Sequence, residues 1–179
     1  MTQPALALPT SFVEDADILR APDDKAYREA MARVASAVHV ITTDGPAGRA
    51  GMTATAVSSV TDTPPTLLVC VKRTTAAYPA LVANGQFCVN TLAADMEAVA
   101  AAFGGKTAMD ERFAAGDWYD LATGSPALVG ALSSFACRVT ARHSVGTHDV
   151  FYGEVVAIGL GQPSGGLSYF ARGYRTLAP

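Results

Sequence analysis

The chain has 179 residues, of which half are hydrophobic and 16% are charged, with a formal net charge of −3 and a pI near 5.5. This length is typical of a single domain with a sizeable core, and an acidic chain without a Lys/Arg cluster is a poor candidate for nucleic-acid binding. No apolar run approaches the ~20 residues of a membrane span, and an N-terminus with Glu14, Asp15 and Asp17 lacks the pattern of a secretory signal.

The three cysteines, Cys70, Cys88 and Cys137, lie in apolar runs that resemble strands. An odd number of thiols without a CxxC pair predicts neither a zinc site nor a dithiol redox site. Reduced, buried cysteines are typical of cytoplasmic proteins, so we expect a cytoplasmic location and no metal centre.

Residues 1–23 show no clear period and are interpreted as an N-terminal arm, with one domain over residues 24–179. Asp23 or Asp24 can cap a helix, because Tyr27, Ala30, Met31 and Val34 follow at helical spacing. A strand over 37–43, a turn over 44–48 and a second strand over 51–60 then predict a hairpin.

The strand over residues 51–60 is built from small and hydroxylated residues, which fill a core poorly. We call it the ledge, because a flat ligand can lie close to such a backbone and bond its hydroxyl and N–H groups. A small-residue strand packed under a helix is an equally good interpretation of these ten residues.

The remaining elements follow in chain order, with the Pro64–Pro65 turn first. We predict an apolar strand buried on both faces at 66–71, a short helix at 78–82 ended by Asn84-Gly85, a strand at 86–91, a helix around 96–103, a loop at 104–126, strands at 131–143 and 150–160, and a terminal segment at 167–177. Gly153 and Gly159 are expected at bulges or close approaches. Hairpin-linked strands with short inserted helices favour a closed or nearly closed antiparallel barrel.

Several familiar catalytic motifs are missing from the sequence: there is no GxGxxG, no P-loop and no GxSxG. Among the histidines, His39 lies mid-strand and is expected to be structural, and His143 ends a strand and is expected to be solvated. His148 lies in a glycine-containing turn between two strands, so it is the candidate functional histidine.

An ordered set of motifs resembles the flavin reductase-like domain family, the short-chain NAD(P)H:flavin oxidoreductases that serve two-component monooxygenases. The resemblance covers about residues 25–177. The motifs are the ledge, Pro64-Pro65, Leu68-Val69-Cys70-Val71, Phe87-Cys88-Val89-Asn90, Arg112-Phe113, Trp118, Gly146-Thr147-His148, Phe151-Tyr152-Gly153-Glu154-Val155 and Tyr169-Phe170-Ala171-Arg172-Gly173-Tyr174.

This resemblance implies a mainly β, split-barrel FMN-binding fold that works as a homodimer, with flavin at the subunit interface and a nicotinamide cofactor over it. His148 would be the catalytic residue. The resemblance assigns cofactor binding to Gly51, Thr53, Ala54, Thr55, Ala56, Cys70, Val71, Lys72, Thr74, Thr75, Ala76, Ala77, Asn90, Phe103, Gly104, His148, Arg172 and Tyr174.

Within this set, the resemblance places the phosphate at Thr74 to Ala77 and the nicotinamide near Gly51, His148, Arg172 and Tyr174. Many relatives carry Asn where this chain has Lys72 and Asp where it has Thr147. The run from Lys72 to Thr75 offers the cation, hydroxyls and N–H groups that a phosphate needs, although a plain polar turn has the same composition. Tyr169, Phe170 and Tyr174 can alternatively pack one end of the barrel.

The expected function is reduction of FMN or FAD with NADH or NADPH, followed by release of reduced flavin to a monooxygenase partner. Because the cofactors carry hydride chemistry, no catalytic constellation of side chains is needed. The alternatives are a flavin-dependent reductase of a ferric or cobalt-corrinoid centre and a non-catalytic flavin- or haem-binding split barrel.

Overall fold

The computed structural model describes residues 21–179, so the predicted arm at 1–23 lies almost entirely outside the described residues. The chain divides into two compact units, Met1–Val34 and Ala35–Pro179. The first contains helix α1 (Asp24–Met31). Its N-cap is Asp23, whose carboxylate accepts a hydrogen bond of 2.7 Å from the N–H of Ala26, as the helix prediction requires.

Within Ala35–Pro179, all of which is described, there are twelve strands, three α-helices and a 3-10 turn at Phe113–Ala115. The helices are α2 (Tyr78–Asn84), α3 (Glu97–Gly104) and α4 (Met109–Arg112). The strands are β1 (Ser36–Ala37), β2 (His39–Thr43), β3 (Ala50–Ala54), β4 (Val57–Asp62), β5 (Pro65–Lys72), β6 (Gln86–Thr91), β7 (Trp118–Asp120), β8 (Pro126–Leu128), β9 (Ser133–Val145), β10 (His148–Leu160), β11 (Gly166–Phe170) and β12 (Gly173–Leu177).

Seven strands form one antiparallel sheet in the order β3-β2-β6-β9-β10-β5-β4, which is the split β-barrel. Two smaller sheets have the orders β1-β11-β12 and β7-β8. The predicted ledge strand is interrupted at Thr55 and Ala56, and its two halves pair with different strands: β3 with β2, and β4 with β5. The two edge strands of the barrel are therefore neighbours in sequence, joined by this two-residue link.

The predicted loop at 104–126 is wrong in detail, because it contains α4, the 3-10 turn and β7. These elements are too short for periodicity to show, and side-chain bonds to the backbone hold them. The indole of Trp118, for example, donates to the carbonyl of Phe113 at 2.9 Å.

The prediction that β5 is buried on both faces is wrong as well. Leu67, Val69 and Val71 are buried, while Leu68 and Cys70 are only partly buried. Cys70 is accessible because its face of the strand lines a cavity. Cys88 and Cys137 are buried free thiols, and burial raises the pKa of each to about 12.

Two apolar clusters fill the fold. The first fills the barrel and includes Ile41, Met52, Val69, Phe87 and Phe151. The second packs α3 against β2 and includes Val38, Val40, Leu92, Phe103 and Leu167.

His39, expected in mid-strand, is the first residue of β2 and is partly buried. It lies on β2, and its Nδ1 is 3.2 Å from the hydroxyl of Thr91. Burial lowers its pKa from 6.5 to about 4, so it is neutral at pH 7. Among the described residues, no helix is long and apolar enough to cross a membrane, and no group of three or more His, Cys, Asp or Glu could hold a metal ion.

Gly153 on β10 allows the barrel wall to approach Phe87, as the close-approach prediction requires. A Cβ at this position would lie 2.5 Å from Phe87 Cζ and 2.8 Å from Cys137 Cβ. We expect Gly153→Ala to lower the free energy of unfolding by about 1–3 kcal/mol, because both neighbours are buried and cannot retreat. Gly166→Ala is the control, since its Cβ would meet Leu132 at an ordinary 3.6 Å. Equal urea-denaturation midpoints for the two variants would contradict this account.

Candidate functional site

A cavity of about 500 Å³ opens beside the link between β3 and β4. Its wall is formed by the ledge, the end of β5 and the turn after it, the end of α3, and the start of β10. Most of the residues predicted from the family resemblance lie on it. The lining residues are Met52, Thr53, Ala54, Thr55, Ala56, Cys70, Lys72, Thr75, Ala76, Phe103, Gly104, Gly105, Arg112 and His148.

The ledge is held against α3 by close packing and one hydroxyl. Thr53 donates to the carbonyl of Ala100 at 2.6 Å. A Cβ on Gly51 would lie 2.6 Å from the ring of Phe103, so glycine is required for the strand and helix to approach this closely. Gly51 is buried and supports the wall from behind.

Arg112, at the end of α4, braces the same wall and is 7% exposed. Its guanidinium donates to four backbone carbonyls: Gly51 at 2.9 Å, Thr107 at 3.0 Å, Phe103 at 3.1 Å and Gly105 at 3.2 Å. Two of these carbonyls lie at the C-terminal end of α3, where the helix dipole favours a cation. In the sequence, Arg112 stands out only as part of a motif, because nothing local marks a buried arginine.

Two basic residues, Lys72 and His148, meet at another part of the wall. Lys72 ends β5 and His148 begins β10, and the two residues are directly paired across the antiparallel strands. The imidazole Nδ1 lies 2.9 Å from the hydroxyl of Thr147, which leaves Nε2 for other contacts. Thr75 and Ala76 line the cavity beside them. This end can hold an anion.

Arg73, predicted from the run Lys72 to Thr75 to be a phosphate donor, instead pairs with a buried carboxylate. Asp149, whose side chain is 1% exposed, accepts from Arg73 at 3.1 Å, from the Tyr78 hydroxyl at 2.7 Å and from Ser144 at 2.9 Å. Arg142 lies 3.4 Å away. The hydrogen bond from Tyr78 is the main reason that the pKa of Asp149 is lowered, and it raises the pKa of Tyr78.

Seven predicted residues do not line the cavity, namely Gly51, Val71, Thr74, Ala77, Asn90, Arg172 and Tyr174. Val71 and Ala77 lie in the barrel core. Asn90 is fully buried: its amide donates to the carbonyls of Val40 and Pro126, and it accepts from the N–H of Leu128 and the hydroxyl of Ser134, both at 2.8 Å. It fastens β8 to the barrel.

Arg172 and Tyr174 belong to the β11–β12 hairpin. Arg172 has a positive φ of 60° in its turn. Tyr174 packs edge-on to Tyr169 at 5.4 Å and against the second apolar cluster, as the packing alternative predicts. Their role toward a nicotinamide stays a prediction.

A split barrel with a cavity over a hydroxylated link and a cationic turn at its margin has the architecture of a flavin-binding reductase. Residues 31–178 match the model of the flavin reductase like domain. The chain belongs to the flavin reductase-like domain family, and it is an NAD(P)H:flavin oxidoreductase.

Similarity to individual flavin reductases supports the same family assignment. The chain is 56% identical over 169 residues to an FMN reductase (NADH) RutF of Methylorubrum extorquens, covering 94% of this chain and 82% of that one. It superposes with a TM-score of 0.85 and 41% identity on a putative flavin reductase of Haemophilus somnus, over 87% of this chain and 100% of the other. It also superposes on BorF, the flavin reductase component of a bacterial two-component tryptophan halogenase, with a TM-score of 0.82 and 31% identity, over 88% of this chain and 99% of the other.

Replacing Arg112 tests the bracing of the wall. Arg112→Lys keeps the charge but loses the planar fork, so several of the four carbonyls lose their donor. We expect the free energy of unfolding to fall by about 2–4 kcal/mol and flavin affinity to fall with it. Arg138→Lys, on an exposed position of β9, is the matched control and should stay within about 0.5 kcal/mol of the parent protein. An Arg112→Lys variant as stable as Arg138→Lys would remove the bracing role.

Proposed function

We propose that this protein reduces FMN with NADH and passes the reduced flavin to a flavin-dependent monooxygenase. The observation that carries the proposal is the cavity itself, which places the Lys72–His148 pair and Thr75 at one end and the ledge along its side. A phosphate monoester fits the end with Lys72, His148 and Thr75, and a flat ring fits the side formed by the ledge. The similar FMN reductase (NADH) of Methylorubrum extorquens favours FMN and NADH among the possible cofactors.

The residues present fit a flavin. A volume of about 500 Å³ is in the range of cofactor pockets, about 300–1,000 Å³. Met52, Ala54, Cys70 and Phe103 supply apolar wall, and Lys72 supplies a charge-assisted donor for phosphate. The carbonyl of Ala56 accepts from the N–H of Cys70 at 3.0 Å, which leaves the backbone N–H groups of Thr55 and Ala56 for the polar edge of the ring.

When bound, flavin accepts the hydride and carries both electrons, so the protein is required to position two cofactors and shield them from water. The ledge and α3 orient the ring, and the turn after β5 holds the phosphate. His148 lies where it can donate from Nε2 to the nicotinamide amide or to a phosphate of the nucleotide.

The test is NADH oxidation by the purified protein with and without added FMN. We expect flavin-dependent oxidation, faster with NADH than with NADPH. Absence of flavin-dependent oxidation with either nucleotide would overturn the proposal.

The transfer step is tested separately. A monooxygenase that lacks its own reductase should turn over when this protein, NADH and FMN are kept behind a dialysis membrane. Turnover only on direct mixing would show that reduced flavin does not leave by diffusion. The similarity of this chain to BorF, the flavin reductase component of a two-component tryptophan halogenase, supports a partner enzyme that receives reduced flavin. We also propose a cytoplasmic location, which three free thiols favour.

We further propose that the chain forms a homodimer through β10. Val156, Ile158 and Leu160 alternate on one face of this strand and are 38%, 53% and 82% exposed. Ile158 also borders an apolar cavity of about 350 Å³. Contiguous apolar surface of this kind marks a contact site.

Ile158→Glu should therefore shift the sedimentation coefficient from that of a dimer to that of a monomer. Val129→Glu is the control, since Val129 is equally exposed, at 53%, but lies outside the barrel strands. A parent protein that sediments as a monomer would end the dimer proposal.

Lys72→Ala and Thr75→Ala should each weaken FMN binding. A charge-assisted bond to phosphate contributes about 1.5–3 kcal/mol, so loss of Lys72 should raise the dissociation constant about tenfold to hundredfold. Lys25→Ala on α1 should leave it unchanged, because Lys25 does not line the cavity. Fluorescence titration measures all three. Unchanged affinity in both cavity variants would place the phosphate elsewhere.

His148→Ala should raise the KM for NADH, or slow flavin reduction, while changing FMN affinity less than about twofold. The exposed His143 on β9 provides the control variant His143→Ala. If His148→Ala loses FMN affinity as strongly as Lys72→Ala does, His148 belongs to the flavin phosphate rather than to the nicotinamide.

A further inference from the structure

The buried carboxylate of Asp149 joins four elements around the anion end of the cavity. Its Oδ1 accepts from Arg73 and Ser144, and its Oδ2 accepts from Tyr78 at 2.7 Å and lies 3.4 Å from Arg142 Nε. Asp149 is not on the cavity wall, so it does not itself touch a ligand there. A charge buried at 1% exposure is stable only with such partners.

Two of these partners flank the turn that the flavin phosphate would use. Arg73 precedes the turn and Tyr78 follows it, and Thr75 and Ala76 of the wall lie between them. Inside the turn, the N–H of Thr75 donates to Lys72 and the N–H of Tyr78 donates to Thr75, both at 2.9 Å. These bonds close the turn on itself, whereas Asp149 fixes both of its ends to β10.

The same cluster holds the hairpin that carries His148. The N–H of Arg73 donates to the carbonyl of Thr147 at 3.1 Å, and its guanidinium donates to the carbonyl of Gly146. Arg73 therefore links the turn, the hairpin tip and Asp149. Backbone pairing sets Lys72 opposite His148, and the Asp149 carboxylate adds side-chain anchors at both ends of the turn that carries Thr75.

We propose that Asp149 is a positioning residue for the flavin phosphate: by anchoring Arg73 and Tyr78, it holds the phosphate turn in its binding conformation before the cofactor arrives. The proposal rests on the proposed function, in which the turn receives the phosphate of FMN. Preorganisation of this kind raises affinity, because the turn is already ordered in the free protein and binding does not lose the entropy of ordering it.

The experiment compares FMN with riboflavin, which has the same ring and ribityl chain but no phosphate. The dissociation constant of riboflavin divided by that of FMN isolates the phosphate contribution from damage to the rest of the fold. In Asp149→Asn we expect this ratio to shrink about fivefold to thirtyfold relative to the parent protein, mostly through FMN. Riboflavin affinity should change less than about twofold.

Two hydroxyl donors to the same carboxylate supply a matched pair of variants. Tyr78→Phe removes the donor that follows the turn and keeps the ring, which packs against Phe151 at 6.1 Å. Ser144→Ala removes a donor from β9, away from the turn. We expect the riboflavin-to-FMN ratio of dissociation constants to shrink about threefold to tenfold in Tyr78→Phe and less than about twofold in Ser144→Ala.

The outcomes separate this inference from the proposed function. If the parent protein binds riboflavin as tightly as FMN, no phosphate site exists and the function proposal fails at that point. If the parent prefers FMN and Asp149→Asn and Tyr78→Phe keep that preference, the positioning role is overturned. Equal losses of FMN and riboflavin affinity in these variants would likewise overturn it and leave Asp149 as a general stabiliser of the barrel.

Discussion

The structure depends on the point where the chain passes from one edge of the barrel sheet to the other. Thr55 and Ala56 join β3, which pairs with β2, to β4, which pairs with β5. Because the two edge strands are consecutive, the sheet is nearly closed, yet strand pairing stops at the link. A residue with a large side chain would fill the space beside this backbone, and the small residues of the ledge leave it open as the cavity.

Two buried charged groups brace the cavity: Arg112 lies in its wall and Asp149 lies behind it. Arg112 donates to carbonyls of β3, the end of α3 and the following loop. Asp149 accepts from side chains of β9, the turn after β5 and the start of α2. Each is bonded several times, which is the condition under which a buried charge is tolerated. The loops around the cavity are connected by hydrogen bonds of these two buried side chains rather than by long secondary structure.

The groups that line the cavity wall fit hydride transfer between two bound cofactors. The described cavity wall contains no nucleophile–base pair, and its polar groups are arranged as a cationic end and a hydroxylated side. Such a site positions cofactors and adjusts the charge around them. Arg73 is paired with Asp149, so the basic side chains at the wall are Lys72, His148 and Arg112, and the last of these is bonded to backbone carbonyls.

The sequence by itself determined the elements whose signals are local. The Asp23 cap, the Gly85 helix end and the long strand through Gly153 follow from capping, left-handed backbone and alternation, and the family resemblance follows from the order of short motifs. It also marked Lys72, Thr75 and the ledge, because their composition suits a flat phosphorylated ligand. The tertiary structure alone decided which of these residues share a wall. Asn90 carries the right chemistry but is enclosed by β8, Arg73 is drawn to a carboxylate 76 positions away, and Arg112 acquires its role from carbonyls that only the packing of α3 on β3 brings together. Hydrogen bonds between distant segments leave no period in a sequence, and so their geometry is fixed only when the barrel forms.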